Sequence, residues 1–187
     1  MKAIFKNELD EHISVMNECL LLEPVLTKVV IQCIHTLNSG GRILLVGNGG
    51  SAADAQHIAA EFVVRFRRKR TGLAAIALTT DMSVVTAAGN DFDFESIFSR
   101  QVEALGKPED TLIAISTSGT SPNVIHAAQA AKDLKMKLVT ITGSKINPLE
   151  DLADFHLAIP SENTARIQEC YLFLGHLICE GVERELS

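Results

Sequence analysis

Two apolar patterns divide the chain. Residues 4 to 39 carry apolar positions at helical spacing. From residue 42 onward short, continuous apolar runs take over, each followed by a polar loop and another helical pattern. In the first part, Ile4, Leu9, Ile13, Met16 and Leu20 form an imperfect stripe, and Val25, Val29, Val30, Cys33 and Ile34 a broader one. Pro24 suits the first turn of the second helix, where its missing N–H would have had no partner anyway. The glycines of "NSGGR" suit that helix's C-terminal cap. This helical pair has apolar surface to cover, against the rest of the fold, against another chain, or both.

The second part predicts strands at "RILLV" (42–46), "LAAIALT" (73–79), "TLIAIS" (111–116), "KLVTIT" (137–142) and "FHLAIP" (155–160). Helices are expected at 51–66, in segments across 81–105, at 121–135 and at 163–185, with a short connection before the fifth strand. Strands that face water on one side alternate in polarity, and these do not. They read as strands covered on both faces, so the expected architecture is α/β: a three-layer sandwich around a five-stranded parallel sheet, preceded by two helices. No linker or low-complexity segment breaks it, and residues 1–187 are expected to form one domain.

Composition narrows the partners. The chain has 187 residues, 47% hydrophobic and 21% charged, with a formal net charge of -6. That charge excludes a general nucleic-acid binder, which needs a surplus of lysine and arginine to neutralise phosphates. No stretch approaches the ~20 uninterrupted apolar residues of a membrane span. The start, "MKAIFKNELDEH", turns acidic where a signal peptide needs an apolar core. Cys19, Cys33, Cys170 and Cys179 form no C-x-x-C pair and read as reduced core residues. The expectation is a cytoplasmic protein without membrane or nucleic-acid partners. "RFRRKR" (65–70) reads as a solvated loop, near enough to the preceding helix to help bind an anion.

The chemistry concentrates in two loops, each between a strand and a helix: Asn48, Gly49, Gly50, Ser51, and Ser116, Thr117, Ser118, Gly119, Thr120, Ser121. Such loops aim backbone N–H groups and the positive end of a helix dipole at one point, which suits phosphate or carboxylate. In a parallel sheet both lie at the carboxyl edge, where ligands bind. Gly47 to Ala52 fits G-x-G-x-x-A, but the acidic residue a dinucleotide site wants about 20 positions on is missing. Asp81 comes 29 positions after Ala52. Neither loop has the lysine of a P-loop. The hydroxyls of "STSGTS" are instead enough to surround a phosphate monoester.

Downstream of the first loop, His57 and Glu61 stand four apart on one helical face, about 6 Å apart along the axis. An idle carboxylate among "IAAEFVV" is costly unless paired or ligated. On the last helix Gln168 and His176 share a broad face but lie roughly 12 Å apart along the axis. If these four hold one metal ion, the site gathers across a subunit boundary, or one group ligates only in some states.

The stretches "GNGGSAADAQHIAAEF", "GNDFDFESIFSRQVEALG", "AISTSGTSPNVIHA" and "ARIQECYLFLGH" together resemble the phosphoheptose isomerases of the sugar isomerase (SIS) fold family, from about residue 5 to 185. The resemblance implies a SIS, flavodoxin-like fold, a homotetramer with active sites at subunit interfaces, and N-terminal helices that pack in the oligomer. It implies conversion of sedoheptulose 7-phosphate to D-glycero-D-manno-heptose 7-phosphate, the first step toward the heptose of lipopolysaccharide or capsule. One zinc ion per subunit would sit at the positions matching the family's ligands, His57, Glu61, Gln168 and His176. Substrate contacts would be Asn48, Gly49, Gly50, Ser51, Glu61, Arg65, Asn90, Asp91, Ser116, Thr117, Ser118, Ser121 and Gln168. Glu61 and His176 are the candidate acid/base pair. One departure stands out: Ala165 occupies a position where some members carry aspartate.

Two other readings share this fold. One is a non-catalytic, initiator-associating protein of chromosome replication, and the other an isomerase or sensor of a different phosphosugar. The presence of both Glu61 and His176 favours the enzyme, because an enediol route between ketose and aldose needs an acid and a base.

Overall fold

The structure, a computed structural model, describes every residue from Met1 to Ser187. Five parallel strands, β1 (Ile43–Val46), β2 (Ala75–Ala77), β3 (Thr111–Ile115), β4 (Lys137–Thr142) and β5 (Phe155–Ala158), lie in the order β2-β1-β3-β4-β5. The apolar runs are the reason. Every residue of β1 and β3 is buried, since successive side chains point into opposite cores. Ile43 and Leu45 enter one core with Ile113, Val139 and Leu157, and Leu44 and Val46 enter the other with Leu112 and Leu138.

The first core is covered by α1 (Lys2–Glu18), α2 (Glu23–Asn38), α3 (Gly50–Val63) and α8 (Thr164–Glu185). The second lies beneath α4 (Met82–Asp91), α5 (Ser99–Leu105), α6 (Pro122–Asp133) and α7 (Pro148–Leu152). Pro24 opens α2 as expected, and Gly40, at φ +78°, takes the left-handed turn past its end. The helical pattern across 81–105 is not one helix: Asp93 caps a short 3-10 turn, Phe94–Ser96, between α4 and α5.

The N-terminal pair is closer to one helix than to two, because a single 3-10 turn, Cys19–Leu22, joins α1 to α2. By length and composition this Lys2–Asn38 stretch is apolar enough to cross a membrane, although Glu23, Lys28 and Gln32 interrupt its apolar positions. Its packing is that of a fold's outer helix. Val15, Cys19, Leu26, Val29 and Cys33 enter the first core. The buried guanidinium of Arg166, on α8, ties α1 down through the carbonyl and carboxylate of Glu8 at 2.7 and 3.0 Å. The opposite face leaves Phe5, Leu20 and Leu21 exposed.

The strand order reverses direction between β1 and β3, so the loops after those two strands part to opposite faces and leave a crevice at the carboxyl edge. Both glycine- and hydroxyl-rich loops border it.

Candidate active site

The two loops are joined by a reciprocal amide pair. Asn48 Nδ2 donates to Asn123 Oδ1 and Asn123 Nδ2 returns a bond to Asn48 Oδ1, both at 2.8 Å. Asn123 is buried in the first turn of α6 and escaped the sequence reading, since nothing in "TSPN" distinguishes it from a helix-start residue. The first loop turns on Gly49, at φ +56° and ψ -121°, which serves as the N-cap of α3 without a side chain to close it. The leading N–H groups of that helix are therefore not claimed by a capping side chain.

The second loop holds its own shape. Ser116 Oγ lies 3.1 Å from Ser121 Oγ and accepts the Gly119 N–H at 3.1 Å, and Ser118 Oγ accepts the Thr120 N–H at 3.2 Å. Ser121 is the N-cap residue of α6, yet its hydroxyl turns to Ser116 and leaves the helix uncapped. Thr117 anchors the loop by accepting the Gly143 N–H through its carbonyl at 3.0 Å. The loop thus presents hydroxyls beside the N-terminal N–H groups of α6, an arrangement suited to a phosphate.

Downstream, α3 and α8 lie side by side and run in the same direction. Ser51 Oγ meets Tyr171 OH at 3.0 Å, Ile58 faces Gly175, and His57 faces His176. Asp54, His57 and Glu61 recur at helical spacing from Gly50, so one face of α3 carries all of them along α8. His57 Nε2 is 3.2 Å from Glu61 Oε1 and 3.5 Å from His176 Nε2. One ligand atom from each of the three lies within 4.8 Å of the others. Ligands about 2.1 Å from a tetrahedral ion stand roughly 3.4 Å from one another, so the two imidazoles and the carboxylate fit a metal ion. Three protein ligands with a further position open is the donor pattern of a catalytic zinc site.

These three groups come together within one protomer, so the subunit-spanning arrangement is not needed to assemble them. Gln168 stands apart: its Nε2 lies against Gly50, two turns of α3 before His57. In this structure its amide borders the first loop. Burial pushes the His176 imidazole below its usual range, and neighbouring His57 adds to the shift while Glu61 opposes it. A histidine kept neutral can ligate a metal or accept a proton. Phe66 stacks on its ring, with centroids 5.2 Å apart and planes 19° apart.

The remaining expected contacts are scattered. Ser51 is buried and spends its hydroxyl on Tyr171, whose own phenol burial pushes upward. Arg65 is exposed just beyond α3. Asn90 and Asp91 end α4 on the surface, where Asn90 Nδ2 donates to Asp91 Oδ1 at 2.8 Å. Glu162 and Thr164 flank the start of α8 near Ala165, and all three are exposed.

The run at 65–70 is not a merely solvated loop. Arg70 is buried and donates to the carbonyls of Glu61 and Phe62 at 2.9 and 2.8 Å, while Arg67 and Arg68 face Glu180. Carbonyls at a helix's C-terminus lack intrahelical donors, which is why the run turns inward here.

Comparison with known proteins finds the same fold. Residues 9–143 match the SIS domain family. A phosphoheptose isomerase of Roseiflexus sp. is 55% identical over 163 residues, 87% of this chain and 83% of that protein. Phosphoheptose isomerase 1 of Campylobacter jejuni is 46% identical across 98% of both chains. The solved phosphoheptose isomerase of Neisseria gonorrhoeae superposes with a TM-score of 0.93 at 39% identity, again over 98% of each chain.

Proposed function

The chain belongs to the phosphoheptose isomerases of the SIS-domain family, aldose–ketose isomerases that convert sedoheptulose 7-phosphate in heptose biosynthesis, and we propose that it forms D-glycero-D-manno-heptose 7-phosphate with Glu61 and His176 as its acid/base pair. The observation that carries the assignment of roles is the convergence of His57, Glu61 and His176 on one point between α3 and α8. That cluster and the first loop lie on the same edge of α3, about 10 Å apart along the helix. An extended seven-carbon sugar can bridge such a gap.

In this reading the hydroxyls of Ser116, Ser118 and Ser121, with Thr117, take the phosphate, and Asn48, Gly49 and Gly50 take the sugar beside Gln168. The Asn48–Asn123 pair fixes one loop relative to the other, so phosphate and sugar are held at a set separation. Glu61 removes the proton from C1 and returns it at C2. Its Oε1 is turned toward His57 and its Oε2 makes no hydrogen bond within the protein. His176, kept neutral by burial, moves protons on the sugar oxygens. A zinc ion held by His57, Glu61 and His176, joined by Gln168 only in a state in which its amide leaves Gly50, would supply Lewis-acid polarisation of the carbonyl. In this reading the reaction runs in the cytoplasm, in a homotetramer whose N-terminal helices pack between subunits.

The test is turnover of sedoheptulose 7-phosphate in deuterium oxide by metal-replete protein. Label at C2 of the aldose is the expected outcome, and absence of turnover would return the chain to the binding-protein readings. Glu61→Gln should keep the fold and lose about 10²- to 10⁴-fold in kcat. Retained activity in that variant would remove Glu61 from the chemistry.

A further inference from the structure

The last turn of α3 and the 65–70 loop are gripped by a side chain with no part in the reaction as described. Glu183, on the final turns of α8, is fully buried, and its carboxylate accepts three consecutive backbone N–H groups. These are Phe66 at 3.1 Å to Oε1, and Arg67 and Arg68 each at 2.8 Å to Oε2. The buried guanidinium of Arg70 lies beside it as an ion pair, Nε to Oε1 at 3.1 Å, and reaches on to the carbonyls of Glu61 and Phe62. Burial alone would raise the carboxyl's pKa. The three N–H donors and Arg70 outweigh that and hold it below the usual carboxylate range. One buried ion pair thus binds the backbone of Glu61 and of Phe66 to α8. Phe66 in turn lies flat on His176, and the Arg67 guanidinium, 4.9 Å from the Phe66 centroid, covers the ring.

We propose that Glu183, Arg70 and Phe66 form a positioning clamp that fixes the plane of the His176 imidazole relative to Glu61. The proposal rests on the acid/base reading of those two residues. His176 is only half-buried and its own helix sets the Cα but leaves the ring to rotate. The stacked Phe66 ring removes that freedom, and Glu183 holds Phe66 through the residue's own N–H. Geometry is the natural target for such a device, since small misplacements of a reacting group cost rate far more than they cost binding.

Phe66→Ala leaves Glu183 and Arg70 in place, so it tests the ring alone. The expected result is a kcat about tenfold lower with KM changed by less than about twofold. Phe66→Tyr, which keeps a stacking ring, should restore kcat. A second readout needs no turnover. The His176 imidazole proton resonances, assigned by their absence in His176→Gln, should lose their ring-current shift in Phe66→Ala and move in the same direction in Glu183→Gln. The double variant Glu183→Gln with Phe66→Ala should lose less kcat than the two single losses combined, because part of each loss acts through the same ring. Unchanged His176 resonances and wild-type kcat in Phe66→Ala overturn the clamp, as do additive losses in the double variant. If Glu183→Gln does not fold, the two Phe66 variants still decide the matter. Turnover that survives in His176→Gln would instead sink the acid/base reading, while the resonances continue to report on the clamp.

Discussion

Gly119 shows how much a single position can carry in the loop proposed to take the phosphate. Its φ is +69°, and a Cβ placed there would fall on the side chain of Asn147. Asn147 is itself fixed, donating to Thr142 Oγ1 at 3.2 Å and to the Lys145 carbonyl at 2.7 Å. Gly119→Ala therefore meets both the left-handed backbone penalty and a neighbour that cannot retreat, about 2–4 kcal/mol together. The variant should unfold at lower temperature in a thermal melt and show a raised KM for the phosphosugar, with kcat at saturation less affected. A KM equal to that of the unchanged protein would mean the loop's shape does not matter to phosphate binding. At this scale the sequence is informative where residue type and spacing both constrain chemistry. His57 and Glu61 at i and i+4, and the hydroxyl run 116–121, were legible for that reason. Asn123, Tyr171 and Glu183 were not. Each works through a partner about 75 to 120 positions away, and an isolated asparagine, tyrosine or glutamate on a helix carries no local sign of it.

At the scale of elements, the candidate metal site depends on two helices lying very close. Ile58 packs directly over Gly175, where a Cβ would stand 2.6 Å from Ile58 Cδ1 and 2.9 Å from its Cγ1. The neighbours of that contact in sequence are His57 and His176, so the glycine sets the spacing of the two imidazoles. Gly175→Val should force α3 and α8 apart, at a stability cost of about 1–3 kcal/mol. Zinc affinity, measured by competition with a chromophoric chelator, should fall roughly 10- to 100-fold. Unchanged affinity would show that the ligands adjust without the close approach. The central strands were legible because a parallel strand covered on both faces is largely apolar, and β4 spans the same residues, 137–142, as the run "KLVTIT". Helix ends and breaks were less so. The interruption between α4 and α5 depends on Asp93 accepting the Ser96 N–H at 2.7 Å, an arrangement "NDFDFES" permits without announcing.

For the whole molecule, the distribution of apolar surface bears on where the proposed substrate contacts can act. The outer face of the N-terminal helices exposes Phe5 at 70%, Leu20 at 75% and Leu21 at 81%, more than scattered surface residues need. Asn90 and Asp91 stand on the surface at the end of α4, with their mutual bond as their only side-chain hydrogen bond. If Asn90 and Asp91 of one copy reach the sugar held near Gly49 and Gln168 of its neighbour, the apolar helices give such copies a surface on which to associate. The parallel sheet and its two cores could be foreseen from one chain's sequence, because burial inside a chain leaves continuous apolar runs. An interface between copies leaves only excess stripes whose partner the sequence does not name. Leu20→Asp combined with Leu21→Asp places two charges on that face without touching either core. Light scattering should then give a smaller particle than the unsubstituted protein, with unchanged far-ultraviolet circular dichroism. Isomerase activity should fall along with the mass, since each site would lose the Asn90 and Asp91 of its neighbour. Full activity in a particle reduced to a single chain would show that Asn90 and Asp91 take no part in a neighbour's site, and that one copy suffices for catalysis.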